Sequence, residues 1–145
     1  MQVRHILQDK GRAIVGISDG ATLADAARVL AQHRIGAVIV QAAGGGLAGI
    51  LSERDVVRAI AEDGPLALER SVGAYMTRSV VTCVEIDTID GLMEVMTQGR
   101  FRHVPVLDEN QRLAGLISIG DVVKSRIAET VREANSLRDY ISATA

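Results

Sequence analysis

Short apolar runs and longer stretches with apolar residues every three or four positions follow one another along the chain, in an order that occurs twice. The first pass opens on an apolar strand, Ala13 to Ile17. Thr22 then stands at a helix N-cap, where its hydroxyl accepts an otherwise unpaired backbone N–H. Leu23, Ala26, Ala27 and Leu30 continue at helical spacing. Ala37 to Val40 and Leu47 to Ser52 read as strands, joined by the glycine-rich stretch Ala42 to Gly46 that suits a hairpin. A further helix starts near Ser52 or Glu53. The second pass runs from a strand at Val80 to Val84 through Thr88 to Ile89, Leu92, Met93 and Met96. Two strands joined through Asp108 to Gln111 follow, then a helix from Ser118 or Ile119. Each pass predicts β-α-β-β-α.

The two passes are copies. Leu47-Ala48-Gly49-Ile50-Leu51-Ser52 returns as Leu113-Ala114-Gly115-Leu116-Ile117-Ser118, and Asp55-Val56-Val57 returns as Asp121-Val122-Val123, both 66 residues on. The same offset pairs Thr22 with Thr88, Val29 with Val95, Arg34 with Arg100, Val38 with Val104 and Val40 with Val106. Gly64-Pro65 to Ser71 reads as the connection, and Val3 to Leu7 as a lead-in matching Val72 to Met76. Residues 1–70 are expected to form the first repeat, 71–125 the second, and 126–145 an amphipathic C-terminal helix. That helix carries a stripe of Ile127, Val131, Ala134, Leu137 and Ile141, suited to packing on the module or on a partner. One copy alone cannot cover both faces of a three-stranded sheet with two helices. The fold class expected is therefore α+β, with the repeats packed sheet to sheet about a pseudo-twofold axis. That arrangement leaves two equivalent clefts, each rimmed by a strand-to-helix corner whose N–H groups attract anions.

Composition narrows the function. Only 2% of the residues are aromatic, so a bound base would meet aliphatic walls. The formal net charge of −2 argues against a sequence-independent nucleic-acid binder, which needs a basic face. Cys83, the only cysteine, allows no internal disulfide. There is no charged-then-apolar leader and no apolar run near 18 residues, so a cytoplasmic protein with no membrane segment is expected. His5, His33, His103 and Cys83 do not have metal-ligand spacing, and no nucleophile or paired acid and base stands out, so neither a metal site nor an enzyme is expected. Gly44 to Gly49 fits Gly-x-Gly-x-x-Gly, but it opens a strand where a dinucleotide fingerprint opens a helix, and reads as a hairpin turn.

The corners themselves are Gly49-Ile50-Leu51-Ser52-Glu53-Arg54-Asp55 and Gly115-Leu116-Ile117-Ser118-Ile119-Gly120-Asp121. Ser-x-x-Asp at a helix start is often only a cap. Together with "YMTRSVVTC" and "RFRHVPVLDENQRLAGLISIGDVV", however, these corners resemble the CBS domain pair, or Bateman module, over residues 1 to about 125. The resemblance implies that the corners bind an adenine nucleotide: AMP, ADP, ATP or NAD(H). Asp55 and Asp121 would accept hydrogen bonds from ribose hydroxyls, and Ser52 and Ser118 would contact phosphate. The adenine would slot beside Val15 and Val38 in one site and beside Val81, Val104 and Pro105 in the other. Arg102 and His103 would supply charge to the phosphates of the second site, and Arg54 to those of the first. The resemblance also implies a regulatory homodimer, and because the module fills almost the whole sequence the unidentified protein it controls is expected to be regulated in trans. The competing expectation is a scaffold that binds no ligand and uses its C-terminal helix as the contact.

Overall fold

The computed structural model describes residues 1–144. Its elements in chain order are α1 (Val3–Lys10), β1 (Gly16–Ser18), α2 (Leu23–His33), β2 (Ala37–Gln41), β3 (Leu47–Ser52), α3 (Glu53–Asp63), β4 (Cys83–Val84), α4 (Ile89–Gly99), β5 (His103–Leu107), β6 (Leu113–Ser118) and α5 (Ile119–Thr144). Two short 3₁₀ turns, Pro65–Glu69 and Val72–Ala74, connect α3 to β4. The strands form two three-stranded sheets, β1-β2-β3 and β4-β5-β6, so the fold is α+β and doubled as the repeat requires. In each sheet the first pair is parallel and the second antiparallel. The register also slips at matching places, between Val40 and Gln41 and between Val106 and Leu107.

The N-terminal caps form as expected. Thr22 Oγ1 accepts from Asp25 N–H at 3.1 Å while Thr22 N–H donates to Asp25 Oδ2, and Thr88 Oγ1 accepts from Gly91 N–H at 3.0 Å. The first strand of each repeat is shorter than its apolar run. Only Gly16–Ser18 and Cys83–Val84 join the ladders, and Ala13 to Val15 and Val80 to Val81 lie outside them. Those residues line the clefts described below.

Strand alternation divides each sheet between two environments. Val38, Val40 and Leu51 pack with α2 and α3 in one core, and Val104, Val106 and Ile117 pack with α4 and α5 in the other. Ile39 and Pro105, equivalent at the repeat offset, point to the opposite faces and are also buried. Both faces of each central strand are thus dry, which is why Ala37 to Val40 is a continuous apolar run and not an alternating one.

The lead-in segments are exchanged. Val3, Ile6 and Leu7 of α1 belong to the core of the second repeat, whereas Val72 and Met76 belong to the core of the first. Val3 N–H donates to Asp87 O and Ile89 N–H to Met1 O. In the other half Val72 N–H donates to Ala21 O and Leu23 N–H to Arg70 O. Asp87 and Ile89 stand 66 residues after Ala21 and Leu23, so the two dockings are equivalent. The exchange explains the glycine that opens each corner. A Cβ on Gly49 would lie 2.5 Å from Thr77 O, and one on Gly115 would lie 2.5 Å from Leu7 Cδ2, because a lead-in segment crosses at each place.

The last helix, α5, runs unbroken from Ile119 to Thr144, through the point where the repeat ends. Val122 is buried, but every residue from Thr130 to Ala143 is exposed, and Ile127, Val131 and Leu137 are each more than half exposed. The stripe expected to pack on the module or a partner is therefore not covered by the module. No helix among the described residues is long and apolar enough to cross a membrane.

Candidate functional site

The repeats meet along a seam with a cleft on each side. One cleft, of about 490 Å³, is bounded by Ser118, Gly120 and Asp121 of the second repeat and by Val15 and Arg34 of the first. The other, of about 430 Å³, is bounded by Ser52, Arg54 and Asp55 of the first repeat and by Val81 and Arg100 of the second. These residues correspond at the offset of 66, so the clefts are pseudo-equivalent and each draws on both repeats.

The structure brings together most of the expected site residues but pairs them across the seam. Val15 stands with Asp121, not with Asp55, and Val81 stands with Asp55. Arg102 and His103 line both clefts, so they do not belong to the second corner alone. Their equivalents, Gly36 and Ala37, are too small to separate the clefts, and a Cβ on Gly36 would lie 3.3 Å from His103 Cε1. Val38 and Val104 line neither cleft. Both are fully buried against the helices, because strand alternation turns them into the cores. Pro105 is also buried and lines neither cleft.

Each corner is a capping box. Ser52 N–H donates to Asp55 Oδ2 at 2.9 Å and Asp55 N–H to Ser52 Oγ at 3.4 Å; Ser118 N–H donates to Asp121 Oδ2 at 2.9 Å and Asp121 N–H to Ser118 Oγ at 3.2 Å. The first N–H of each helix is also satisfied, Glu53 by Gly36 O at 3.0 Å and Ile119 by Arg102 O at 2.8 Å. What remains in each corner is one N–H, of Arg54 or Gly120, and one carboxylate oxygen, Oδ1, that accepts no hydrogen bond among the described residues. Oδ1 of Asp55 has only Arg58 Nη1 near it, at 3.9 Å. Capping thus fixes the carboxylate rotamer and leaves an acceptor facing the cleft, suited to a hydroxyl donor.

Sequence reasoning missed Lys10. Its ammonium donates to Asp121 Oδ2 and to Leu116 O, both at 2.8 Å. In the other cleft the equivalent carbonyl, Ile50 O, accepts Thr77 N–H at 2.9 Å. The helical α1 offers no free backbone N–H at that point, and the Lys10 side chain fills the gap. Nothing in the repeat signals it, because the lead-in segments match at an offset of 69, which puts Met76 opposite Leu7 and the uncharged Ser79 opposite Lys10. Burial is the largest influence on the Asp121 carboxyl and raises its pKa. The hydrogen bonds from Lys10 and Ser118 outweigh it and hold the group below the usual aspartate value. His103 is held below the ordinary histidine value chiefly by burial. Asp121 and Glu53 pull the other way, and Lys10 and Arg102 add to the depression. Each cleft therefore presents a fixed carboxylate, a neutral imidazole and several cations. No cluster of three or more His, Cys, Asp or Glu that could hold a metal occurs among the described residues.

A family model described as CBS domain matches the chain twice, over residues 4–62 and 72–128. The chain belongs to the CBS-domain family. It is 32% identical, over 96% of its length, to the CBS domain-containing protein CBSX3, mitochondrial, of Arabidopsis thaliana, and spans 71% of that protein. A CBS-domain containing protein from Agrobacterium tumefaciens has a similar crystal structure. The TM-score is 0.83 and the identity 51%, with 86% of this chain and 92% of that one covered. A CBS domain protein from Pyrobaculum aerophilum, solved in complex with AMP, matches with a TM-score of 0.75 at 28% identity, covering 83% of this chain and 89% of that one. A CBS pair is thus present, and its seam is where the two clefts lie.

Proposed function

We propose that this CBS pair is a non-catalytic adenine-nucleotide sensor acting in the cytoplasm. AMP, ADP, ATP or NAD(H) binds at the seam, and a protein regulated in trans reads the result. The observation that carries this reading is the doubled corner. Each cleft holds a carboxylate fixed by capping, with one oxygen left for ribose hydroxyls, beside an unbonded helix N–H and cations for phosphate. The Pyrobaculum relative, solved with AMP, supports the ligand class. Val15 and Val81 supply aliphatic walls for the base in the Asp121 and Asp55 clefts respectively.

Each cleft takes its carboxylate from one repeat and its wall from the other. A bound nucleotide therefore favours the closed arrangement of the two repeats, and a partner sensitive to that arrangement is biased by the same free energy. A homodimer is part of the reading, supported by the exposed apolar side chains Val57 and Ile60 on α3, Val95 on α4 and Val123 and Ile127 on α5.

A scaffold that binds no nucleotide is the second reading, favoured by the uncovered stripe on α5. Calorimetry with AMP, ATP, NAD and NADH on the wild type, Asp55→Ala, Asp121→Ala and the double variant separates the two. The sensor reading expects micromolar binding that each substitution weakens and the pair abolishes. No binding at millimolar nucleotide to a folded protein rejects it in favour of the scaffold.

A further inference from the structure

The apolar side chains exposed along α5 keep the register of a coiled coil. Val123, Ile127, Ala134, Leu137 and Ile141 follow one another at steps of 4, 7, 3 and 4, the spacing of a heptad's a and d positions, interrupted only by Thr130. Where α5 lies on the module this ridge points away from it. Val122 is buried and Ser125 and Glu129 are half-buried, while Val123 and Ile127 are 45% and 59% exposed. The ridge then continues onto residues 130–143, every one of them exposed. That stretch lies beyond residue 128, where the match to the CBS family model ends. Thr130, Asn135 and Ser136 within it are weak helix formers, and an isolated helix of fewer than about 15 residues is marginal in water. A helix there gains from a cover over its apolar ridge.

The charges beside the ridge say what the cover is. Glu133 and Arg138 form no ion pair among the described residues. No basic residue stands three or four positions from Glu133, and no acidic one three or four positions from Arg138, so neither finds an opposite charge on its own helix. In a parallel pair of heptad helices a g residue of one flanks the following e residue of the other. Glu133 is such a g and Arg138 the following e, so two parallel copies of α5 set Glu133 of each against Arg138 of the other. Antiparallel copies with the whole ridge in contact, Val123 against Ile141, instead set Glu133 against Glu133 and Lys124 against Arg138. Like charges meet in that arrangement and opposite charges in the parallel one.

We infer that the exposed end of α5 pairs in parallel with the same helix of a second copy of this chain, as a two-stranded coiled coil. The inference rests on the homodimer of the sensor reading and names its contact; it does not depend on nucleotide binding. A parallel coil is isologous, with its twofold axis along the coil, and puts both modules at the same end.

The test begins with Leu137→Cys in the full chain. Parallel helices bring a d position against its own copy, within the Cα separation of about 4.4–6.8 Å that a disulfide spans. Antiparallel contact sets Leu137 against Ile127. In a glutathione redox buffer this variant is expected to become a covalent dimer almost completely, whereas Asp139→Cys, at an outward position, stays monomeric on the same non-reducing gel. Both positions are exposed, so neither substitution disturbs the fold, and the buried Cys83 does not compete. Sedimentation equilibrium supplies an independent readout. Glu133→Arg and Arg138→Glu are each expected to weaken the dimer about tenfold, by turning two attractive pairs into two repulsive ones, and the double swap to recover most of the loss. A wild-type dimer in which Leu137→Cys does not cross-link, or whose single charge variants dissociate no more readily, overturns the coiled coil and leaves a homodimer through the module faces standing. Cross-linking of Leu137→Cys to Ile127→Cys and not to itself overturns the parallel direction. A monomeric wild type overturns the coiled coil and the homodimer together, whatever its nucleotide affinity, and gives the ridge to a different protein.

Discussion

Replacing either corner glycine by alanine adds the same methyl group to two pseudo-equivalent sites, and the structure predicts unequal costs. At Gly49 the new Cβ would lie 2.5 Å from Thr77 O and 2.8 Å from Met76 Sδ, against ordinary contacts of 3.4–4 Å. Thr77 cannot retreat freely, because its N–H and carbonyl are both bonded to Ile50, at 2.9 and 3.0 Å. Moving the segment sacrifices those bonds, each worth about 1 kcal/mol net. Keeping it in place forces overpacking of about 1–3 kcal/mol. Against either cost stands a gain of roughly 0.4–1 kcal/mol, because alanine restricts the unfolded chain more than glycine does. A net loss of about 2 kcal/mol follows for Gly49→Ala. At Gly115 the offending atom is Leu7 Cδ2, the end of a side chain, and its Cδ1 and Cγ stand at 3.4 and 3.5 Å. A small rotation of Leu7 relieves most of the clash, and the net cost falls to about 1 kcal/mol or less. Urea unfolding of the two variants reads the difference directly. The melting temperature of Gly49→Ala should drop by roughly 6–8 °C for a chain of this size. If Gly115→Ala is the costlier substitution, or Gly49→Ala is as stable as the wild type, the exchanged lead-in does not constrain these glycines as described.

Three further outcomes are expected. His103 titrates below its ordinary value of 6.5 in the folded protein, so the unfolded chain binds that proton first. Stability present above pH 6.5 should therefore be lost as the pH falls through 6.5 toward the folded value. His103→Gln should flatten the pH dependence of the urea midpoint between about pH 7 and 5, and an unaltered slope would count against the assignment. Burial, helped by Asp87, pushes the Cys83 thiol up to about 12, so iodoacetamide at pH 8 should alkylate it only after urea unfolding; rapid labelling of the native protein refutes its burial. Thr22→Ala should cost about 1 kcal/mol in urea unfolding. It should also cost more than Thr88→Ala, because Asp25 returns a bond to Thr22 N–H whereas Gly91 has no side chain to do so; equal costs would show that the returned bond contributes nothing.

The repeat offset carried most of the fold, because a sequence that builds one unit twice states its boundaries twice. Thr22 and Thr88, the two hairpins and both Ser-x-x-Asp corners were legible for that reason. Which unit each lead-in segment covers was not. Val3 to Leu7 and Val72 to Met76 match one another, and apolar spacing shows that a face is buried without naming what buries it. The placement of Val38 and Val104 failed for a related cause. Four apolar residues in a row leave a period of two with no polar face to orient it, so Val38 and Ile39 could not be told apart. Arg34 and Arg100 were visible as a repeated pair, but their left-handed caps of α2 and α4 exist only in three dimensions. Lys10 had no signal, since its role depends on α1 remaining helical where the other lead-in extends.

The exchange of lead-in segments also bears on how the chain reaches its folded state. Helix α1 is made before either sheet, yet Lys10 finds Leu116 only across 106 residues of sequence. Contacts of that separation form late, because the loop they close must be paid for in entropy before the contact rewards it. Val3, Ile6 and Leu7 therefore wait uncovered until β6 has emerged, while Val72 and Met76 reach their neighbours sooner. The first repeat can close around its own borrowed segment as soon as residue 77 is available, and the second closes only when α1 returns to it.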